Sequence, residues 1–150
     1  MSQINLDIPV VSLHQNAVTP ASAYHGDAGY DLYATEECTL EPFERALIPT
    51  GLAMEIPFGY AGFVVPRSGL AIKQGLSVVN APGLIDSNYR GEIKVIAINL
   101  DPKEPIHVSP GDRIAQLVIM KIENVAFTPV DELTSSERGT GGFGSSGVRS

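Results

Sequence analysis

The chain has 150 residues, one cysteine and a formal net charge of −7, enough sequence for a single domain that buries a core without disulfides. The acidic balance argues against broad binding to nucleic acid or anionic membranes, which needs a surplus of Lys and Arg. Cys38 has no internal partner and no Cys/His cluster has zinc spacing, so a reducing compartment is expected, with Cys38 acting as a small packed hydrophobe.

The segment from Met1 to Val11 contains Asp7 and Pro9 and lacks a basic start followed by an apolar stretch, so it predicts no signal peptide. No apolar run reaches membrane-spanning length. Ile4, Leu6, Ile8 and Val10 alternate with mostly polar neighbours, the period of a half-buried strand, and Leu52, Met54 and Ile56 repeat it. Phe63 to Val65, Ile93 to Leu100 and Ile114 to Ile122 are apolar or β-branched on both faces, which predicts strands covered on each side. Between them one short helix is expected over Ser68 to Gln74, with Ser68 as its N-cap and Gly75 ending it in a left-handed conformation. The 15 glycines and 11 prolines interrupt the chain too often for longer helices. The expected fold is therefore all-β, closed or two-layered. From Thr134 onward nearly every residue is Gly, Ser, Thr or charged, so a folded body over 1–133 should be followed by a flexible Gly-rich tail over 134–150.

Five segments place glycines beside functional polar groups: Asp27 to Asp31, Pro66 to Gly69, Gly83 to Glu92, Gly111 to Gln116, and Arg138 to Gly147. Arg67 and Ser68 offer a guanidinium and a hydroxyl that suit a phosphate oxygen, although a surface arginine beside a helix cap explains them equally well. Gly139, Gly141 and Gly144 match a dinucleotide fingerprint in form only, because no following helix fits in the six remaining residues, Ser145 to Ser150. What remains is a chain whose glycines let backbone N–H groups approach an anion, with Arg138 as a charge and Phe143 as a stacking plate. Disorder is the commoner meaning of such composition. Asp86, beside Gly83, Leu84 and Ile85, suits a general base that activates water. Asp31 suits hydrated Mg²⁺, which favours carboxylates together with substrate phosphates. Taken singly, turn capping or solvation explains either aspartate.

In order and separation, these five segments resemble the motifs of the trimeric deoxyuridine triphosphatase family, over most of the chain from Asp27 to Gly147. The resemblance implies a jelly-roll-like β barrel or sandwich, a homotrimer with sites shared between subunits, and hydrolysis of dUTP to dUMP and pyrophosphate by water attack on the α-phosphate. That reaction limits uracil in DNA and supplies dUMP for dTMP synthesis. It further implies Asp86 as the carboxylate that activates water and Asp31 as a contact to the water shell of Mg²⁺. Phosphate contacts would come from Arg67, Ser68, Gly69, Gln116, Arg138, Gly144 and Ser145, with Arg113 supporting the fold or an interface. Uracil would lie in a hairpin from Asn80 to Lys94, read by Asn80 and by backbone around Gly83, Leu84, Ile85 and Lys94. Tyr89 would pack under the deoxyribose, and Phe143 would stack over uracil from a neighbouring subunit's tail. A cytoplasmic location is expected for a bacterial source, nuclear or mitochondrial for a eukaryotic one. The competing readings are a dCTP deaminase relative, which shares the fold, and a non-catalytic jelly-roll module.

Overall fold

Frequent turns and alternating apolar residues give the described residues of this chain ten strands and one helix. The computed structural model describes residues 6–149. In chain order the elements are β1 (Val10–Ser12), β2 (Tyr30–Tyr33), β3 (Cys38–Leu40), β4 (Arg45–Met54), β5 (Tyr60–Val65), α1 (Ser68–Gln74), β6 (Leu76–Val78), β7 (Gly83–Ile85), β8 (Ile93–Asn99), β9 (Ile106–Val108) and β10 (Arg113–Lys121). Two four-stranded sheets, ordered β1-β4-β8-β6 and β2-β10-β5-β7, are joined by a two-stranded ribbon of β3 and β9. Every pairing is antiparallel. This is the two-layered, jelly-roll-like all-β architecture with one short helix that the sequence predicts.

One core cluster lies between the sheets: Ile48, Met54, Ile93 and Val95 come from the first, and Leu32, Val64, Ala115 and Leu117 from the second. Alternation decides which side chains are buried. Ile48, Thr50, Leu52 and Met54 are buried on β4, and Thr50, an inward hydroxyl, donates to the Ile93 carbonyl across the pair, as a buried polar group requires. Asn99, also fully buried, donates to the carbonyls of Leu40 and Glu104 at 3.0 and 2.8 Å and accepts from the Asp101 N–H. It thereby ties the β3–β9 ribbon to β8. Gly51 interrupts the β4 ladder with φ 68°, and a Cβ there would stand 2.8 Å from the His14 Cβ; only glycine suits this position.

Three expectations are corrected. The strand expected from Ile4 to Val10 begins at Val10, with Leu6 to Pro9 outside any ladder and Ile4 outside the described residues; Pro9 has no N–H for a ladder, and its carbonyl accepts from Glu55 instead. The α1 N-cap is Arg67, extended at φ −91° and ψ 127°, so Ser68 is already helical and no side chain caps the helix. Gly75 does end it in the left-handed region, at φ 74°. Lastly, Asn80 to Lys94 is not a paired hairpin: β7 pairs with β5 and β8 with β4 and β6, so the segment crosses from one sheet to the other. Ile85 and Ile93, both core residues, anchor its two sides.

Candidate active site

The order β2-β10-β5-β7 sets four of the five motif segments side by side in one sheet. A bulge between Arg113 and Ala115 fixes the register, so that Gln116 lies opposite both Asp31 on β2 and Val65 on β5. Because side chains alternate and Leu32, Val64, Ala115 and Leu117 face the core, Asp31 and Gln116 are turned to the outer face of the sheet. Val65 leads directly into Pro66 and Arg67. The first, second and fourth motifs therefore meet at one sheet end.

A cavity of about 410 Å³ opens there, bounded by the loop from Ala23 to Gly29 on one side and by Arg67, Ser68 and Gly69 on the other, with Asp31 and Gln116 between them. The Asp31 carboxylate, its side chain only 14% exposed, binds Arg67 Nε at 3.0 Å and Arg113 Nη1 at 3.5 Å. Arg67 Nη1 also approaches the Arg113 carbonyl at 3.4 Å. Gln116 donates from Nε2 to the Pro66 carbonyl at 3.0 Å, which fixes its amide beside the second motif. Gly29 makes room for it, since a Cβ at position 29 would overlap Gln116 Oε1. Asp27 accepts from the Tyr24 N–H at 2.8 Å and shapes the loop wall. A pocket with guanidinium and amide donors at its edge suits an oxyanion of several charges.

Asp86 is placed elsewhere. Ile85, just before it, is registered with Gly62, three residues back along β5 from Val65, which is about 10 Å at the usual strand rise. Asp86 is exposed, and its carbonyl accepts the Tyr89 N–H at 3.1 Å, closing a turn. Tyr89 folds over Gly91, where a Cβ would stand 2.5 Å from the phenol oxygen, and its hydroxyl donates to the Glu92 carbonyl at 2.8 Å. Asn80 is exposed beside Gly83, its Nδ2 3.3 Å from where a Gly83 Cβ would be. Leu84 and Lys94 are also exposed, whereas Gly83 and Ile85 are buried.

The tail stands apart from both places. Arg138 Nε donates to the Gly141 carbonyl at 2.7 Å, and the N–H groups of Ser145 and Gly147 donate to the carbonyls of Gly142 and Gly144. Every hydrogen bond of the segment among the described residues is thus local. Phe143, at φ 50°, is fully exposed, and Gly144 and Ser145 are exposed beside it. Upstream, every residue from Met120 to Thr140 is exposed, including Phe127 and Leu133. The single chain therefore groups Asp31, Arg67, Ser68, Gly69 and Gln116, and separates them from the Asp86–Tyr89 turn and from the tail. Two features escaped sequence inspection: the double arginine contact on Asp31 and the need for Gly29 opposite Gln116. Both depend on strand pairing between distant segments, although an Ala-Gly pair inside a motif hinted at close approach.

No helix among the described residues is long and apolar enough to cross a membrane. The dUTPase family model matches residues 15–147. The deoxyuridine 5'-triphosphate nucleotidohydrolase of Leifsonia xyli subsp. xyli is 54% identical over 142 residues, covering 95% of this chain and 91% of that one. Among solved structures, Staphylococcus bacteriophage 80alpha dUTPase with dUPNHPP superposes with a TM-score of 0.87 at 36% identity, over 95% of this chain and 99% of that one. A mutant dUTPase from phage phi11 of S. aureus, whose structure concerns the coordination of a structural Mg(II) ion, gives 0.78 at 30% identity, over 85% and 98% of the two chains. These relatives favour dUTP hydrolysis over a dCTP deaminase or a non-catalytic module. Matched along nearly its whole length in both sequence and structure, the chain belongs to the dUTPase family.

Proposed function

We propose that this chain hydrolyses dUTP to dUMP and pyrophosphate by water attack on the α-phosphate, at sites shared between the subunits of a homotrimer. The observation that carries this reading is the alignment of Asp31, Gln116 and the Val65–Gly69 segment around one polar cavity. There Arg67, Ser68, Gly69 and Gln116 bind phosphate oxygens, and positioning with charge neutralisation supplies most of the rate. Asp86 takes the proton of the attacking water as pyrophosphate departs on the opposite side. Its distance along the sheet from this cavity supports a site completed by a second subunit, and the outward, locally bonded tail supports a third contribution from Arg138, Phe143, Gly144 and Ser145.

Uracil is recognised by Asn80 and by backbone groups around Gly83, Leu84, Ile85 and Lys94. Their fixed donors and acceptors leave the inverted groups of cytosine unpaired. Tyr89 lies under the deoxyribose. Its hydroxyl is already committed to the Glu92 carbonyl, so a ribose 2′-hydroxyl gains no partner there. Phe143 stacks over the base.

Magnesium suits this donor set only through its water. No group of three His, Cys, Asp or Glu side chains that could hold an ion occurs among the described residues. Asp31 faces two arginines, but each carboxylate oxygen keeps further acceptor capacity. Asp31 would thus hold hydrated Mg²⁺, which neutralises charge on the triphosphate when bound. Kinship with the Leifsonia protein supports a bacterial cytoplasm as the setting.

Pyrophosphate release should be measured with dUTP, dCTP, dTTP and UTP, beside light scattering of the purified protein. Turnover confined to dUTP, a trimer, and an Asp86→Asn variant that binds nucleotide without hydrolysing it are expected. Similar rates on all four nucleotides would remove the specificity assignment, and turnover by Asp86→Asn would remove the base.

A further inference from the structure

Between the buried anchors Ile85 and Ile93, the segment carrying Asp86 and Tyr89 has no buried residue. Its shape therefore rests on polar contacts, and one side chain makes most of them. Arg90 donates from Nη1 to the Ser87 carbonyl at 2.8 Å and to the Tyr89 carbonyl at 3.2 Å. Its Nε lies 3.4 Å from Glu55 Oε1. Glu55 directly follows β4 and is itself held by its N–H bond to the Pro9 carbonyl at 2.9 Å. A planar guanidinium can satisfy two carbonyls and a carboxylate at once because its donors project in fixed directions.

We infer that Arg90 and Glu55 form a clasp that positions the Asp86–Tyr89 turn for hydrolysis. The inference rests on the assignment of Asp86 as base and Tyr89 as sugar platform given above. Arg90 grips the turn from inside, through the carbonyls on either side of Asn88. Glu55 ties that grip to the end of β4, in the opposite sheet from β7. Both side chains are more than half exposed, so their pairing adds little to the stability of the fold. Its effect is local: it restricts where the carboxylate of Asp86 and the ring of Tyr89 stand. A misplacement of about 1 Å at a reacting group costs on the order of 100-fold in rate.

The test uses the full chain, with Arg90→Ala, Arg90→Lys, Glu55→Gln and Asp86→Asn. Steady-state kcat and KM are measured with dUTP and UTP, together with the Kd of a non-hydrolysable imido analogue of dUTP and thermal unfolding. Arg90→Ala is expected to lower kcat about tenfold, equivalent to about 1.4 kcal/mol in the barrier. Analogue affinity should change less than about threefold, and the preference for dUTP over UTP should narrow because Tyr89 is less fixed. Arg90→Lys should fall between Arg90→Ala and the parent, since it keeps the charge facing Glu55 but loses the fork. Glu55→Gln, which leaves the carbonyl bonds in place, should lower kcat about threefold. In the Asp86→Asn background, Arg90→Ala should lower any residual turnover by less than it lowers the parental kcat, because the carboxylate it positions is already gone.

A parental kcat in Arg90→Ala beside an inactive Asp86→Asn would overturn the clasp alone. Equal losses of kcat, analogue affinity and thermal midpoint would also overturn it, because those mark general loosening of the fold. Parental turnover in Asp86→Asn would overturn both the base assignment and the clasp that serves it.

Discussion

Gly29→Ala should separate folding from function, because the space it fills belongs to the Gln116 amide. Gly29 is not in the left-handed region, so alanine fits its backbone, but the new Cβ would overlap Gln116 Oε1 and stand 2.9 Å from Cδ. The end of a glutamine side chain is flexible, so the amide swings away rather than the strand moving. The move breaks the 3.0 Å bond from Nε2 to the Pro66 carbonyl, a net loss of about 1 kcal/mol. Replacing glycine recovers about 0.4–1 kcal/mol by narrowing the unfolded ensemble. Net stability should therefore stay within about 0.5 kcal/mol of the parent, a thermal shift of no more than about 2 °C at this size. Catalysis has no such compensation, because the displaced amide is a phosphate contact in the proposed site. The value of kcat/KM for dUTP should fall at least tenfold, or about 1.4 kcal/mol. Pyrophosphate release and thermal unfolding of Gly29→Ala, Gln116→Ala and the double variant measure both effects. If the mechanism acts through Gln116, the double variant is no slower than Gln116→Ala alone. Additive losses, or a large fall in thermal midpoint with unchanged kcat/KM, would show that Gly29 does not act by making room for the Gln116 amide.

Deleting Glu137 to Ser150 should leave the body folded, since the hydrogen bonds of that segment among the described residues are local, while turnover of dUTP drops by about 100-fold or more. Full activity of the truncated protein would exclude a catalytic tail. The Glu104 and Lys103 backbone N–H groups hold the Asp101 carboxyl below its ordinary 3.8. Its stabilisation is thus complete above that ordinary value and disappears as pH falls through the lowered one. Urea unfolding should show Asp101→Asn less stable than the parent at neutral pH and the gap closing in acid; a pH-independent gap would contradict the linkage. Burial, with a smaller effect from the Glu44 carboxylate, pushes the Cys38 thiol above its ordinary 9.0. A disulfide reagent near neutral pH should therefore react with it more slowly than with free cysteine, and unfolding in urea should abolish the difference. Equal rates before and after unfolding would show that the folded environment does not protect it.

Local patterns were legible wherever a residue and its neighbours decide the outcome. Gly75 marked the helix end, and the alternation of Leu52, Met54 and Ile56 identified the inward face of β4 and its extension. Errors arose where a local signal competed with a distant partner. Ile8 packs against the core without joining a ladder because Pro9 breaks the strand pattern. Ser68 has the chemistry of a cap, yet Pro66 and Arg67 leave β5 extended and place it one residue too late. The hairpin expected from Asn80 to Lys94 is implied by the family resemblance and not by any pairing signal in the residues, and the segment is instead a crossing between sheets. Its strands choose other partners because Ile85 and Ile93 enter the core from opposite layers. At the site, the motif residues stand out in the sequence, but their adjacency does not. Asp31 meets Gln116 only through a bulge near Arg113, and neither Arg113 on Asp31 nor Arg90 on Glu55 follows from spacing along the chain.

The outward tail, with Phe143 bare and Arg138 bonded only to its own segment, has a genetic corollary. If one chain's tail serves a site whose base comes from another, damage to the two parts need not be carried by the same molecule. A chain lacking Glu137 to Ser150 and a full-length chain carrying Asp86→Asn, each inactive alone, should complement one another when co-expressed. Mixed trimers would contain some sites assembled wholly from intact parts. Lesions within Arg67 and Gln116, which line one cavity of a single chain, should fall into one complementation group.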